Sequence, residues 1–377
     1  MKIGLAGISL EVADAGFKRY FEQLVRGIAS QDSCNKYVLF LNSTIYDKLR
    51  VKQANFENVR VHVPFQNIIK PRISLIWEQI YFPCISALNK LDVLHSCVSA
   101  VPIFARMKTV LTVYDLMYLI LPETQTRLYR FYWTIFLPLS LKIARKVIAI
   151  SESTKMDIIK RYHIPEEKVH VVYPYVSPFF IPTNQCRKVL TKYQIPDKYI
   201  LYVGTIERRK NLLTLIKAFA LAKKQGSIKH KLVLVGRKEV RYSSFLEKFI
   251  TDLKLGKDVI WCGYVPDEDL PALYSSADLF VYISLYEGFG LPVLEAMACG
   301  TPVLTSNVSS LPEIVGDMGI MVAPNDVEMI AYEMTRILKD RFLHEKLAKR
   351  GIEQATKFSA EKSIRQIINL YYEVAQQ

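Results

Sequence analysis

Short apolar runs recur along this chain, each followed by a longer stretch whose apolar positions return every three or four residues. The first kind marks a strand buried on both faces, and the second marks an amphipathic helix. In the first half the pattern predicts strands at Ile3–Ile8, Tyr37–Asn42, Val59–Val63, Val93–His95, Thr109–Val113 and Val147–Ile150. Tyr199–Val203, Lys231–Val235, Val259–Trp261, Leu279–Ile283 and Pro302–Thr305 repeat it in the second. Strands alternating with helices argue for parallel sheets covered by helices, an α/β fold. The two series are separated by residues 173–182, whose three prolines interrupt helix and ladder alike. The expected division is a first domain over residues 1–178, a second over 179–357, and a last segment over 358–377. Phe358 to Tyr372 carries an amphipathic, tyrosine-ended helical pattern.

Length and composition fit this division. At 377 residues the chain is comfortable for two domains, and with 50% hydrophobic and 23% charged residues it reads as a soluble globular protein. The net charge is +14, with 23 basic against 14 acidic residues up to position 180 and 27 against 22 after it. A basic balance favours anionic partners such as phosphorylated substrates or anionic lipid. No compact basic tract or nucleic-acid motif is present, so nucleic acid is not an expected partner. Six scattered cysteines without C-x-x-C pairs read as small buried hydrophobes in a reducing compartment. The opening residues imitate a signal peptide, with Ala13-Asp14-Ala15 as a mimic of a cleavage site, but their glycine-broken apolar run reads better as a first strand. No apolar run reaches the roughly 18 residues of a membrane-spanning helix. The expected location is cytoplasmic.

The richest segment is 284–304, Ser-Leu-Tyr-Glu-Gly-Phe-Gly-Leu-Pro-Val-Leu-Glu-Ala-Met-Ala-Cys-Gly-Thr-Pro-Val-Leu. Two carboxylates, Glu287 and Glu295, bracket a glycine turn, Gly288-Phe289-Gly290-Leu291, and Pro292 at a helix start. The apolar run before them makes the segment a strand, a turn and a short helix. Free N–H groups and the positive helix end then face the turn, which suits a phosphate. Glu287, at the strand's carboxyl end, lies where open α/β sheets bind ligands. Glu295, one turn into the helix, can point back to the same ligand. Gly204-Thr205-Ile206-Glu207-Arg208-Arg209-Lys210-Asn211 follows another strand and opens a helix over Leu212–Lys223. Cations there can neutralise a diphosphate as it leaves.

These residues, with Ser309-Ser310-Leu311-Pro312-Glu313 beyond them, resemble the E-x7-E signature of family 4 retaining glycosyltransferases. The resemblance implies the GT-B fold: two Rossmann-like domains facing a cleft, with the C-terminal helix crossing back to the first domain. It implies transfer of a sugar from a nucleotide-diphosphate sugar to a hydroxyl of a glycan or lipid-linked glycan, with retention and without a metal or other cofactor. On the resemblance, Glu287, Lys210 and Arg209 are catalytic. Glu287 bonds sugar hydroxyls or stabilises positive charge at the anomeric carbon, and Glu295 grips the ribose. The N–H groups of Gly288, Phe289, Gly290 and Leu291 hold sugar and diphosphate. Gly204, Val265 and Gly16 complete the donor site, Gly16 by letting the backbone approach the phosphate. Thr205 stands where many members carry arginine, and either Arg208 or Arg209 supplies that charge. Tyr114 and Asp115 occupy the acceptor side, Tyr114 at a position where relatives commonly carry histidine. Ser151 reads as a helix cap. Residues 71–88 and 127–146 are rich in aromatic, apolar and basic side chains, which suits either packing on the sheet or an anionic membrane surface on the inner face. A sugar-nucleotide epimerase or hydrolase, or an inactive nucleotide-sugar-binding protein, are the alternatives on the same frame. A dinucleotide oxidoreductase is not expected, because Gly4-Leu5-Ala6-Gly7 does not supply Gly-x-Gly-x-x-Gly.

Overall fold

The computed structural model describes residues 1–7, 15–42, 55–61, 79, 83, 88–103 and 107–377. Ile8 at the end of the first predicted strand, His62 and Val63 at the end of the third, and most of the predicted 71–88 surface segment lie outside these residues. The chain forms two compact units, residues 1–175 with 359–377, and residues 176–358.

In the first unit seven parallel strands run in the order β3-β2-β1-β4-β5-β6-β7. They are β1 (Lys2–Gly7), β2 (Lys36–Asn42), β3 (Phe56–Val61), β4 (Val93–Ser96), β5 (Thr109–Val113), β6 (Lys146–Ala149) and β7 (Val169–Val171). Helices α1 (Ala15–Gln31), α2 (Arg127–Ile143) and α3 (Glu152–Tyr162) belong to this unit. Both faces of the central strands are covered, so β4 and β5 are buried along their whole length. The C-terminal helix, Ala360–Gln376, packs against α1, β4 and β5. It begins later than the sequence pattern suggests. Ser359 caps it by accepting from the Lys362 N–H, while the Phe358 ring stays with the second unit, 5.7 Å from Phe289. Inside the sheet, the His95 ring takes Tyr371 of that helix at Nδ1 (2.6 Å) and Thr112 at Nε2 (2.7 Å).

The second unit repeats the plan with six parallel strands in the order β10-β9-β8-β11-β12-β13. They are β8 (Tyr199–Val203), β9 (Lys231–Val235), β10 (Val259–Gly263), β11 (Leu279–Tyr282), β12 (Val303–Ser306) and β13 (Ile320–Val322). Among its helices, α4 (Leu212–Lys224) follows β8 and α5 (Leu291–Ala298) follows β11. The sequence reading omitted β7 and β13, edge strands of three residues each, too short and too mixed in burial to show a period. In this order the chain leaves β8 toward β9 on one side and returns to β11 on the other. The carboxyl ends of β8 and β11 therefore flank the point where an open α/β sheet binds its ligand. No described helix is long and apolar enough to cross a membrane.

Candidate functional site

The loop after β8 and the loop after β11 meet because their strands are neighbours, paired Leu279 to Ile200 and Phe280 to Leu201. A backbone bond from the Leu285 N–H to the Arg209 carbonyl (2.9 Å) ties the loops together. Arg208–Lys210 forms a single tight turn ending at Asn211, which adopts the left-handed conformation. Asn211 fixes that turn with its side chain, donating to the Pro324 carbonyl at 2.7 Å and accepting from the Thr214 hydroxyl at 2.7 Å. One consequence is that Arg209 and Lys210 turn inward and are buried while Arg208 remains exposed.

Glu287 sits between those two cations. Arg209 Nη1 donates to Glu287 Oε2 at 2.7 Å, and Lys210 Nζ donates to Oε1 at 2.6 Å. Glu287 as a whole is 6% exposed. Arg209 also reaches Glu207 at 2.7 Å and the Tyr286 carbonyl at 3.1 Å, and Lys210 reaches the Tyr282 hydroxyl at 2.6 Å. Burial pushes the Glu287 carboxyl up, but Arg209 and Lys210 outweigh it and hold it at about 2. For Lys210, burial and the neighbouring guanidinium prevail over Glu287, and its pKa falls below the ordinary lysine value. The Glu287 main chain is fixed as well: its N–H donates to Ser309 Oγ (2.9 Å) and its carbonyl accepts from Ser310 (3.0 Å).

Gly288 to Leu291 lead from Glu287 into α5. Gly290 has φ +124°, and a Cβ there would lie 2.8 Å from Leu311 Cδ2, so only glycine fits the turn. Pro292 occupies the first turn of α5. Glu295, 1% exposed, accepts from the Tyr274 hydroxyl at 3.0 Å. The ends of β8, β9 and β10 are knitted by glycine backbone: Gly204 N–H to Val235 carbonyl (2.9 Å) and Gly236 N–H to Gly263 carbonyl (2.7 Å). At Gly236, with φ +143°, a Cβ would fall 1.9 Å from the Gly204 oxygen. Val265 is buried beside this end, with the Arg237 guanidinium 5.2 Å from the Tyr264 ring centre.

The remaining predicted residues lie in the first unit. Gly16 is the second residue of α1, exposed, and a Cβ built on it meets nothing within 4 Å. Tyr114 follows β5, but its hydroxyl is committed inside the unit, donating to the Cys97 carbonyl at 2.8 Å beneath the Phe17 ring. Burial pushes that phenol well above its ordinary pKa. The Asp115 carboxylate accepts from the Met117 N–H at 3.0 Å. Ser151 caps α3 as read, accepting from the Thr154 N–H at 3.0 Å. Sequence reasoning missed Glu207, Tyr282 and Tyr274 as partners. Only the position of Glu207 directly before the basic run was there to signal any of them. Among the described residues no group of three or more His, Cys, Asp or Glu side chains is placed as metal ligands are.

Two family models match the chain. Residues 16–178 match glycosyltransferase family 4, and residues 188–358 match glycosyl transferases group 1. The chain is 40% identical over 239 residues to the O-antigen chain mannosyltransferase B of Escherichia coli, covering 62% of this chain and 61% of that one. It thus spans less than two thirds of the curated relatives it first matches. Among solved structures, the sucrose-phosphate synthase of Thermosynechococcus elongatus aligns with TM-score 0.80 at 23% identity, covering 99% of each chain. The HepE protein of Anabaena, in complex with UDP and glucose, aligns with TM-score 0.78 at 18% identity, covering 99% of this chain and 100% of that one.

Proposed function

The chain belongs to glycosyltransferase family 4 and has the GT-B fold, and on that premise we propose that it moves a sugar from a nucleotide-diphosphate sugar to a hydroxyl of a glycan or lipid-linked glycan in surface polysaccharide synthesis. The observation that carries this reading is the buried Arg209–Glu287–Lys210 cluster at the carboxyl ends of β8 and β11. On this reading its two positive charges, already oriented, serve the departing diphosphate as it gathers negative charge. The N–H groups of Gly288 to Leu291 and the start of α5 add to that field. Mannose is the first sugar to test, because the E. coli relative is named a mannosyltransferase.

The proposed roles follow the geometry. Arg209 and Lys210 neutralise the diphosphate, and exposed Arg208 adds longer-range attraction. Glu287, ionised and held by both cations, is the fixed negative charge for the anomeric carbon. Glu295 faces the ribose, and Gly204 and Val265 flank the base. Gly16 lets the α1 backbone approach the phosphates, and Tyr114 and Asp115 back the acceptor side, Tyr114 through its ring. The reaction breaks the bond from the anomeric carbon to the phosphate oxygen, whose electron pair stays on the diphosphate. The acceptor oxygen bonds to the same face of the sugar, and its proton passes to the departing phosphate oxygen. The product keeps the anomeric configuration, and no metal takes part.

The test is a panel of nucleotide-diphosphate sugars scored by donor hydrolysis and by thermal stabilisation, followed by transfer to glycan acceptors with and without a chelator. Stabilisation by at least one donor, with turnover that resists the chelator, is the expected result. A protein that no nucleotide sugar stabilises would overturn the reading, and an inverted product or a lost rate with chelator would overturn its mechanistic part.

A further inference from the structure

Lys210 takes two partners inside the second unit. Its Nζ donates to Glu287 Oε1 and, also at 2.6 Å, to the hydroxyl of Tyr282 in β11. The same nitrogen lies 5.1 Å from the centre of the Tyr282 ring. An ammonium carries three N–H groups. Two are thus taken, and among the described residues nothing accepts from the third. Tyr282 is not free to follow a ligand. It is 1% exposed, and its ring stacks with Tyr202 of β8 (5.7 Å, 15° between planes) and with Phe280 of β11 (5.9 Å, 17°). Tyr202 in turn donates to the Thr205 carbonyl at 3.0 Å, where the loop that carries Arg209 and Lys210 begins. Burial, and after it the charge of Glu287, pushes the Tyr282 phenol well above its ordinary pKa, so the oxygen stays protonated and neutral. A neutral phenol oxygen can accept from Lys210 without adding a charge to the cluster.

We propose that Tyr282 is a positioning residue for Lys210: its hydroxyl fixes the ammonium so that the third N–H is left for the departing diphosphate. The proposal rests on the reading that Lys210 neutralises that diphosphate. Glu287 supplies the counter-charge, but one hydrogen bond leaves the lysine side chain able to swing about that contact. A second bond, from a ring that is enclosed on the sheet, holds it in place. A group already oriented needs no rearrangement as charge develops. The hydroxyl also favours the charged amine, because a hydrogen bond made by the charged form stabilises it. It acts with Glu287 and Glu207 against burial and Arg209, which prevail and lower the Lys210 pKa.

The experiment compares the full chain with Tyr282→Phe, which keeps the stacked ring and removes the oxygen. Tyr202→Phe is the control: it removes another fully buried hydroxyl, one that bonds Thr205 and not Lys210. The Lys210 amine is titrated in each protein by nitrogen NMR without donor, and transfer from a nucleotide-diphosphate sugar is then assayed. In Tyr282→Phe the amine should lose its proton at lower pH than in the parent, and in Tyr202→Phe its titration should stay in place. The kcat of Tyr282→Phe should fall roughly tenfold, the worth of one hydrogen bond to a charged group, with the donor KM changed far less. A titration that does not move in Tyr282→Phe, or that moves equally in Tyr202→Phe, overturns the proposal. So does a kcat at the parent's value, or a loss that falls wholly on KM, since the hydroxyl would then serve packing or binding alone. Failure of the donor-site reading looks different: the parent itself transfers no sugar and no nucleotide sugar stabilises it. That result takes the proposal with it, even where the titration moves.

Discussion

Replacing Glu287 by Gln keeps the shape of the side chain and removes one charge from a site where that charge faces two cations at 2.6 and 2.7 Å. The variant leaves Arg209 and Lys210 buried, with Glu207 as the remaining carboxylate at 2.7 Å from Arg209. Removing one member of a buried pair costs about 3–5 kcal/mol, because the partner is left uncompensated. In a unit of this size each kcal/mol is worth roughly 2–4 °C. Unfolding of the 176–358 unit should therefore move down by about 10 °C in scanning calorimetry. A nucleoside diphosphate brings the missing negative charge, so its stabilising effect should be larger on the variant than on the parent. Transfer should still fall by about two orders of magnitude, because the cations are no longer held where charge develops. The reasoning is refuted if the midpoint stays where it was. It is also refuted if the diphosphate stabilises the variant less than the parent, since Glu287 would then help to hold the diphosphate, where the reasoning gives that task to Arg209 and Lys210.

Gly16→Ala puts a methyl group into open space inside a helix. The protein should be stabilised by roughly 0.5–1 kcal/mol while donor affinity drops, and unchanged donor kinetics would remove Gly16 from the site. Gly236→Ala drives a Cβ into the Gly204 carbonyl and should unfold or distort the second unit, read as lost nucleotide-induced stabilisation and a lower midpoint. Burial holds the His95 ring at about 3, below the ordinary 6.5. Its folded pKa is depressed, so the unfolded chain takes the proton first as pH falls. The associated stability is complete above about 6.5 and is lost toward pH 3, roughly 5 kcal/mol in all. Denaturant titrations across that range should show a steeper loss in the parent than in His95→Gln, whose remaining slope comes from carboxylates such as Glu287, and equal slopes would mean the ring is not buried as a neutral group.

Central strands were legible in the sequence for a physical reason: parallel strands covered on both faces read as continuous apolar runs, as in Tyr199–Val203 and Thr109–Val113. Edge strands such as Val169–Val171 lack that cover and left no run to read. The members of the Arg209–Glu287–Lys210 cluster were legible too, because they sit in two short stretches at strand ends. Its wiring was not. Nothing local says that Arg209 turns inward and Arg208 outward; the turn at Asn211 and its bond to the distant Pro324 carbonyl decide that. Nor does the sequence tell that Tyr114 gives its hydroxyl to Cys97, or that His95 meets Tyr371 across 276 positions.

Two glutamates eight positions apart invite an acid–base interpretation, and the structure argues against it through the environments that the strand and the helix create. Glu295 accepts from a neutral phenol, whereas Glu287 is gripped by two cations. With a pKa of about 2, Glu287 carries no proton to donate at neutral pH and has little affinity for one. The Tyr114 hydroxyl is tied to a carbonyl, and the His95 ring is enclosed between Tyr371 and Thr112. By its own environment none of these three groups suits a base, which on the proposed function leaves the departing phosphate oxygen as the acceptor of the proton. On the proposed function, what the residues around Glu287 would supply is positive charge set in place before the bond breaks. Charge that is already oriented needs no rearrangement when the diphosphate leaves. The spacing of the pair therefore reflects the passage from strand end through glycine turn into helix, with Glu287 held between two cations and Glu295 bonded to Tyr274.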